Sequence, residues 1–207
     1  MSMFCYQCEQ TAKGTGCTQF GTCGKDPEVS ALQDLVIHAT KGIAMYAHRA
    51  ARLGARDRDI NVFVTEALFT TVTNVNFDAA RLEALLRKAG QIKQKAHALY
   101  EHAVRKAGNV PETLPGPAQW EPAPDRTGLV TEGVEVGILA RKTELGDDAV
   151  GLQELLTYGL KGTAAYADHA IILGKEDPEV FAFFLEALDF LTRDDATVPE
   201  LDRKSVV

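Results

Sequence analysis

The stretch LQDLVIHATKGIAMYAHRAARLGARDRDINVFVTEAL (residues 32–68) returns 120 positions later as LQELLTYGLKGTAAYADHAIILGKEDPEVFAFFLEAL (residues 152–188). The two align without a gap, and sixteen of the 37 pairs are identical, far more than two unrelated amphipathic helices would share. A self-similarity of this kind marks a duplicated structural unit. Within the first copy Leu32, Leu35, Val36, Ala39, Ile43 and Tyr46 fall at helical spacing and form one apolar stripe. Asp26-Pro27 reads as an N-cap followed by a first-turn proline, and Gly54 as a left-handed stop. Asp57 then opens a second helix over 58–74, as Asp177-Pro178-Glu179 does in the second copy. Asn76 caps a third, over 77–107, whose stripe is Leu82, Leu85, Leu86, Ile92, Ala96 and Leu99 and which Gly108 ends. The fold class is therefore all-α, with a first three-helix bundle over 29–107 and a second, incomplete one over 149–201.

Gly42 and Gly162 recur inside the paired helices, where glycine costs about 1 kcal/mol relative to alanine. Their recurrence predicts a close helix–helix approach in both units. Between the units, residues 108–148 form a linker and an irregular segment. Five of the eight prolines lie there, at 111, 115, 117, 122 and 124, so neither helix nor central strand is expected over 108–127. Trp120 should pin this linker to the bundle. Residues 128–146 are expected as a short helix or an extended piece.

All four cysteines precede the repeat, as Cys5-x2-Cys8-x8-Cys17-x5-Cys23 within residues 1–28. Four thiols on short spacers suit an iron–sulfur cluster or a structural zinc. Gly14, Gly16, Gly21 and Gly24 would let the backbone fold tightly and aim N–H groups inward, and Lys13 and Lys25 place positive charge nearby. A zinc ribbon more often carries two CxxC pairs. A disulfide framework is disfavoured because no apolar signal segment opens the chain and a large helical body needs no staples. The spacing alone leaves all three open, with iron–sulfur ahead.

The run Met3-Phe4-Cys5-Tyr6-Gln7-Cys8-Glu9-Gln10-Thr11-Ala12, with Gly16-Cys17 and Gly21-Thr22-Cys23-Gly24-Lys25, closely resembles the N-terminus of the hybrid-cluster (prismane) proteins, or hydroxylamine reductases. The similarity continues through Leu32-Gln33-Asp34-Leu35, Lys41-Gly42-Ile43-Ala44, Thr71-Val72-Thr73-Asn74, Gly137-Ile138-Leu139-Ala140 and Leu152-Gln153-Glu154-Leu155. The resemblance implies a [4Fe–4S] cluster on Cys5, Cys8, Cys17 and Cys23. A subgroup with wider spacing is associated with [2Fe–2S]. It also implies a second, hybrid iron–sulfur–oxygen cluster, where hydroxylamine or nitric oxide is reduced, with Cys, Glu and His ligands in later domains. Residues 24–207 hold no cysteine, so no catalytic residue is expected in this chain. The implied partners are an NADH-linked iron–sulfur or flavin reductase as electron donor, and the C-terminal domains of the same protein.

The composition agrees with a soluble cytoplasmic protein. A net charge of −7 argues against non-specific nucleic-acid binding, and no apolar run reaches the ~18–20 residues of a membrane span. His38, His48, His97, His102 and His169 read as polar helix surface, because His97 and His102 are five apart rather than three or four. The recurring Glu66 and Glu186 read as structural ion-pair partners, and Arg49, Arg52, Arg56 and Arg58 as a solvated face. After Leu201, Asp202-Arg203-Lys204-Ser205-Val206-Val207 resembles a translated sequencing adapter and is expected to be a foreign tail. Without a third helix, the second unit should expose Leu152, Leu155, Leu156, Phe181, Phe184 and Leu188, and self-associate or be partly disordered over 149–207.

Overall fold

A computed structural model describes residues 2–193 and 195–205. Among them the regular structure is helical: α1 (Pro27–Arg52), α2 (Arg58–Thr70), α3 (Ala79–Lys106), α4 (Arg126–Glu135), α5 (Ile138–Leu145), α6 (Asp147–Ile172), α7 (Pro178–Phe190) and α8 (Val198–Ser205). The all-α reading from the repeat holds.

The sequence signals for helix ends act as their chemistry dictates. Asp26 Oδ1 accepts from Val29 N at 2.8 Å with Pro27 at the first turn. Asp57 and Asp177 cap α2 and α7 in the same way. Gly54 and Gly174 both take positive φ, 81° and 71°, at the ends of the paired helices. Two boundaries differ from expectation. Helix α2 ends at Thr70, where Thr71 Oγ1 turns back to donate to Leu68 O at 2.9 Å. The cap of α3 is Asp78; Asn76 instead accepts from Asp78 N in a tight turn just upstream. Residues 126–145 are helical as two pieces, α4 and α5, divided at Val136-Gly137.

Helix α1 is the axis of the molecule. It packs against α3, α4 and α7, and most of its side chains are buried. A helix apolar on nearly every side needs cover on every side. Helices α2 and α3 cover one face. The proline strap, including the 3-10 turn Gly116–Gln119, lies across another: Tyr46 Oη donates to Ala118 O at 3.4 Å, and Lys93 Nζ donates to Ala118 O at 3.2 Å. Trp120 is pinned as expected, its indole N–H donating to Glu132 Oε2 at 3.1 Å.

Both interior glycines were expected to mark helix–helix contact, and neither does. A Cβ on Gly42 would collide with the carbonyl of Pro117, so that glycine admits the strap. Around Gly162 there is open space. The glycine that does bring two helices together is Gly133 of α4, whose Cβ would collide with Ala31 O of α1.

The second unit is not left bare. Helix α7 packs on α1 and α2, α6 packs on α2, and α8 packs on α6. Leu156, Phe181, Phe184 and Leu188 are therefore buried, contrary to the exposed patch expected for them. What remains exposed is the outer face of α6, with Leu155 (55%), Tyr158 and Tyr166 (82%), and Leu173 just past its end. The arginine run is likewise more than a solvated face. Arg49 pairs with Asp189 of α7 at 2.5 Å, and Arg58 Nε with Glu176 at 2.9 Å, so two of the four clamp the units together. Glu66 and Glu186 pair with Lys88 and Lys204 at 3.2 and 2.5 Å at the surface. Of the residues expected to be a foreign tail, 202–205 continue α8 behind the buried Leu201; Val206 and Val207 lie outside the described residues. Among the described residues no helix is long and apolar enough to cross a membrane.

Candidate metal centre

The four cysteines lie on one loop, residues 2–26, wrapped against the start of α1. Its spine is a two-residue antiparallel bridge: Cys5 N donates to Cys17 O at 3.1 Å, and Cys17 N to Cys5 O at 2.8 Å. Met3 N donates to Thr18 O at 3.0 Å and the Met3 side chain is buried, which anchors the loop to the body. Cys5 and Cys17 are thus held side by side, while Cys8 and Cys23 sit on the turns that flank them. All four thiols are free, which removes the disulfide reading.

The glycines serve geometry more than flexibility. At Gly16 a Cβ would come within 2.6 Å of the Phe4 ring. At Gly21 it would lie 3.0 Å from Cys23 Sγ. Either position filled would push the loop off its sulfurs. Phe4 and Tyr6 meet edge to face at 5.2 Å, and Lys142 of α5 lies over both rings, so the loop is docked from two sides.

The electrostatics favour thiolate at Cys17. Ala12 N–H points at Cys17 Sγ at 3.5 Å and Thr22 Oγ1 lies 3.7 Å away; the Ala12 N–H is the main cause holding this thiol below its ordinary pKa. Cys5 is pushed the other way, by burial, against the pull of Lys25. Lys25 is itself buried, with Nζ 4.0 Å from Cys5 Sγ and donating to Gln33 Oε1 at 2.5 Å. Gln33 in turn donates to Asn76 O at 2.8 Å, tying the loop to the α2–α3 turn. The Tyr6 hydroxyl and Gln7 Oε1 are buried with no hydrogen-bond partner among the described residues.

No three Cys, His, Asp or Glu side chains converge, among the described residues, at the spacing of a single ion. One tetrahedral zinc holds its sulfurs roughly 3.8 Å apart at bonds of ~2.3 Å. A four-iron cubane spreads its four thiolates around a wider body. The donor set fits such a group by its chemistry: four thiols, N–H groups turned to sulfur, one buried ammonium, and two orphaned polar atoms in the loop.

Behind the loop lies a group of charges that sequence reasoning missed. Asp34, His38 and Lys41 of α1, Arg141 of α5, and Glu154 and Lys161 of α6 line one small pocket. Arg141 pairs with Glu154 and donates to Gln153 Oε1 at 3.0 Å. The signal was present: Gln33/Gln153, Asp34/Glu154 and Lys41/Lys161 are polar positions retained by both repeat copies beside apolar stripes. His38, expected on the polar surface, is instead kept neutral here; burial, then Lys41 and Arg141, lower it to about 4.

An all-α body with a four-cysteine loop docked at its N-terminal end defines a class: a helical module whose loop gathers four thiols of metal-ligand chemistry. The Prismane/CO dehydrogenase family profile matches residues 3–204, and the chain belongs to that family. It is 54% identical over 190 residues to a hydroxylamine reductase of Geobacter sulfurreducens, covering 91% of this chain and 34% of that protein. A hydroxylamine reductase of Rhodospirillum rubrum is 53% identical over 189 residues, with coverage of 91% and 34%. One from Acidithiobacillus ferrooxidans is 44% identical over 208 residues, covering 99% and 37%. The chain thus spans about a third of the length of the curated relatives it matches.

Proposed function

We propose that this chain is the electron-transfer part of a hydroxylamine reductase-type protein, with a [4Fe–4S] cluster held by Cys5, Cys8, Cys17 and Cys23. The supporting observation is the loop: four thiols on one docked segment, with the Ala12 N–H on Cys17 Sγ and the Lys25 ammonium beside Cys5 Sγ. When bound, the cluster supplies one-electron chemistry at a potential set by its hydrogen bonds and burial. The residues do the rest. The Cys5–Cys17 bridge fixes two ligands. Lys25, held by Gln33, offsets negative charge at Cys5, and Phe4, Tyr6 and Met3 limit water on the inner side. The reaction of the whole protein would be NH2OH + 2 H⁺ + 2 e⁻ → NH3 + H2O. Its reducing centre would need ligands from outside residues 1–207, since residues 24–207 offer no thiolate. Electrons would come from a separate reductase and pass on to the protein's remaining domains.

Anaerobic purification with iron, sulfide and zinc analysis tests this. About four iron and four sulfide per chain support it. One zinc and no sulfide would replace it with a structural metal module.

A further inference from the structure

The pocket behind the loop has no task in the reading above, and its composition is unusual. Lys41 and Lys161 are 7% and 3% exposed, and neither ammonium has a hydrogen-bond or ion-pair partner within reach among the described residues. Burial of a lone ammonium is costly, and the usual response is a change of protonation. The one carboxylate not taken by Arg141 is Asp34. It lines two clefts at once: this pocket, and an outer one walled by Met3, Phe4, Gly133 and Gly137. The pocket offers ≈ 30 Å³ for the centres of water molecules. One water needs at least roughly 10–15 Å³ of such space, so the pocket is roomy enough to hold water.

We propose that Asp34, Lys41 and Lys161, set around this pocket behind the cysteine loop, form a proton store that takes up a proton when an electron reaches the loop's metal group. The inference rests on the reading that the loop holds an iron–sulfur cluster. The titratable and charged groups facing the store are Cys5 and Lys25 from the loop, His38 beside it on α1, Arg141 from α5, and Glu154 from α6. Arg141 and Glu154 neutralise one another, and His38 is held neutral. Burial, opposed by neighbouring cations, brings Asp34 up to about 7. Burial brings Lys41 down to about 7 and Lys161 to about 8. Three groups in one pocket are therefore poised to exchange protons near neutral pH. Coupling to the loop is electrostatic: the charges of Asp34 and Lys161 are both felt at Cys5. An electron added at the loop, from an electrode or a reduced donor, adds one negative charge there. That charge favours the protonated forms of Asp34 and Lys161, and one proton enters from solvent through the outer cleft. Charge is balanced with no bond made or broken elsewhere.

The test is the midpoint potential of the cluster-loaded chain from pH 6 to 9, by voltammetry. The wild type should show a potential that falls as pH rises, most steeply near pH 7–8. The pocket's proton affinity should differ at least fivefold between oxidised and reduced forms. Asp34→Asn and Lys161→Met should each flatten that slope. A pH-independent wild-type potential, or an equal slope in both variants, would overturn the proposal. The metal-free chain gives a second readout. Carbon-13 titration should place Asp34 and Lys161 between pH 6 and 9, each moved when the other is substituted. Ordinary titration of both, near 4 and above 10, overturns the store whatever metal the loop binds. Failure to take up iron and sulfide with the carbon-13 result intact would instead refute the cluster reading alone.

Discussion

Gly42 and Gly162 are the same position in the two copies of the repeat, yet alanine should act oppositely at each. At Gly162 a methyl group meets nothing within 4 Å. Gly162→Ala should stabilise the chain by about 1 kcal/mol, the difference in helix propensity. At Gly42 the same methyl collides with the backbone of Pro117. Pro117 lies in the strap beside Ala118, whose carbonyl accepts from Tyr46 and Lys93. Relief requires lifting the strap. Overpacking of this kind costs about 1–3 kcal/mol, and straining one of these hydrogen bonds about 1 kcal/mol more. Subtracting the gain of about 1 kcal/mol in propensity leaves Gly42→Ala destabilised by about 1–3 kcal/mol. The two variants should differ by about 2–4 kcal/mol. Urea unfolding of both, with the slope unchanged from wild type, reads the difference from the midpoints. Shifts of equal sign and size would refute the claim that the strap, and not the repeat, determines what this glycine does.

Further outcomes follow from the caps, the loop and the buried charges. Asp177→Ala removes the acceptor for Glu179 N and should cost about 1 kcal/mol in the same unfolding assay. Lys25→Met leaves Gln33 Oε1 without its donor and removes the cation beside Cys5. It should cost about 1–3 kcal/mol, and lower the midpoint potential of the loaded chain in voltammetry. Lys41 and Lys161 are lowered by burial to about 7 and about 8, below the 10.5 of an unfolded lysine. Between pH 8 and 10 the unfolded chain therefore holds more protons, and stability should rise with pH by up to about 1.4 kcal/mol per unit for each lysine. In Lys41→Met, chemical denaturation at pH 8, 9 and 10 should show a visibly shallower rise; an unchanged one would mean that Lys41 is not held neutral in the fold.

Much of this architecture was legible before any coordinates. The 120-residue offset announced the duplicated helices, and Asp26, Asp57, Asp177 and Gly54 marked ends that the structure honours, because caps and left-handed stops are local chemistry. The four cysteines were visible as one N-terminal group, and the structure keeps them on one loop. Long-range matters were hidden. The 120-residue identity suggested equal surroundings for Gly42 and Gly162, but the strap comes from outside the repeat and covers only the first. The second unit was expected to be bare, because helix periodicity shows which face is apolar and not what covers it. Asp78 took the cap from Asn76 because two polar candidates lay two residues apart. The charged pocket escaped notice because its members are scattered over α1, α5 and α6, although the retention of Gln33, Asp34 and Lys41 as Gln153, Glu154 and Lys161 was readable.

The proposed function depends on an iron–sulfur cluster at Cys5, Cys8, Cys17 and Cys23. The direct measurement is metal and sulfide analysis of anaerobically purified chain, joined to electron paramagnetic resonance before and after reduction. About four iron and four sulfide are expected, with a silent oxidised state, a paramagnetic reduced one, and all signal lost in Cys17→Ala. A colourless protein with one zinc per chain and no signal on reduction would contradict it.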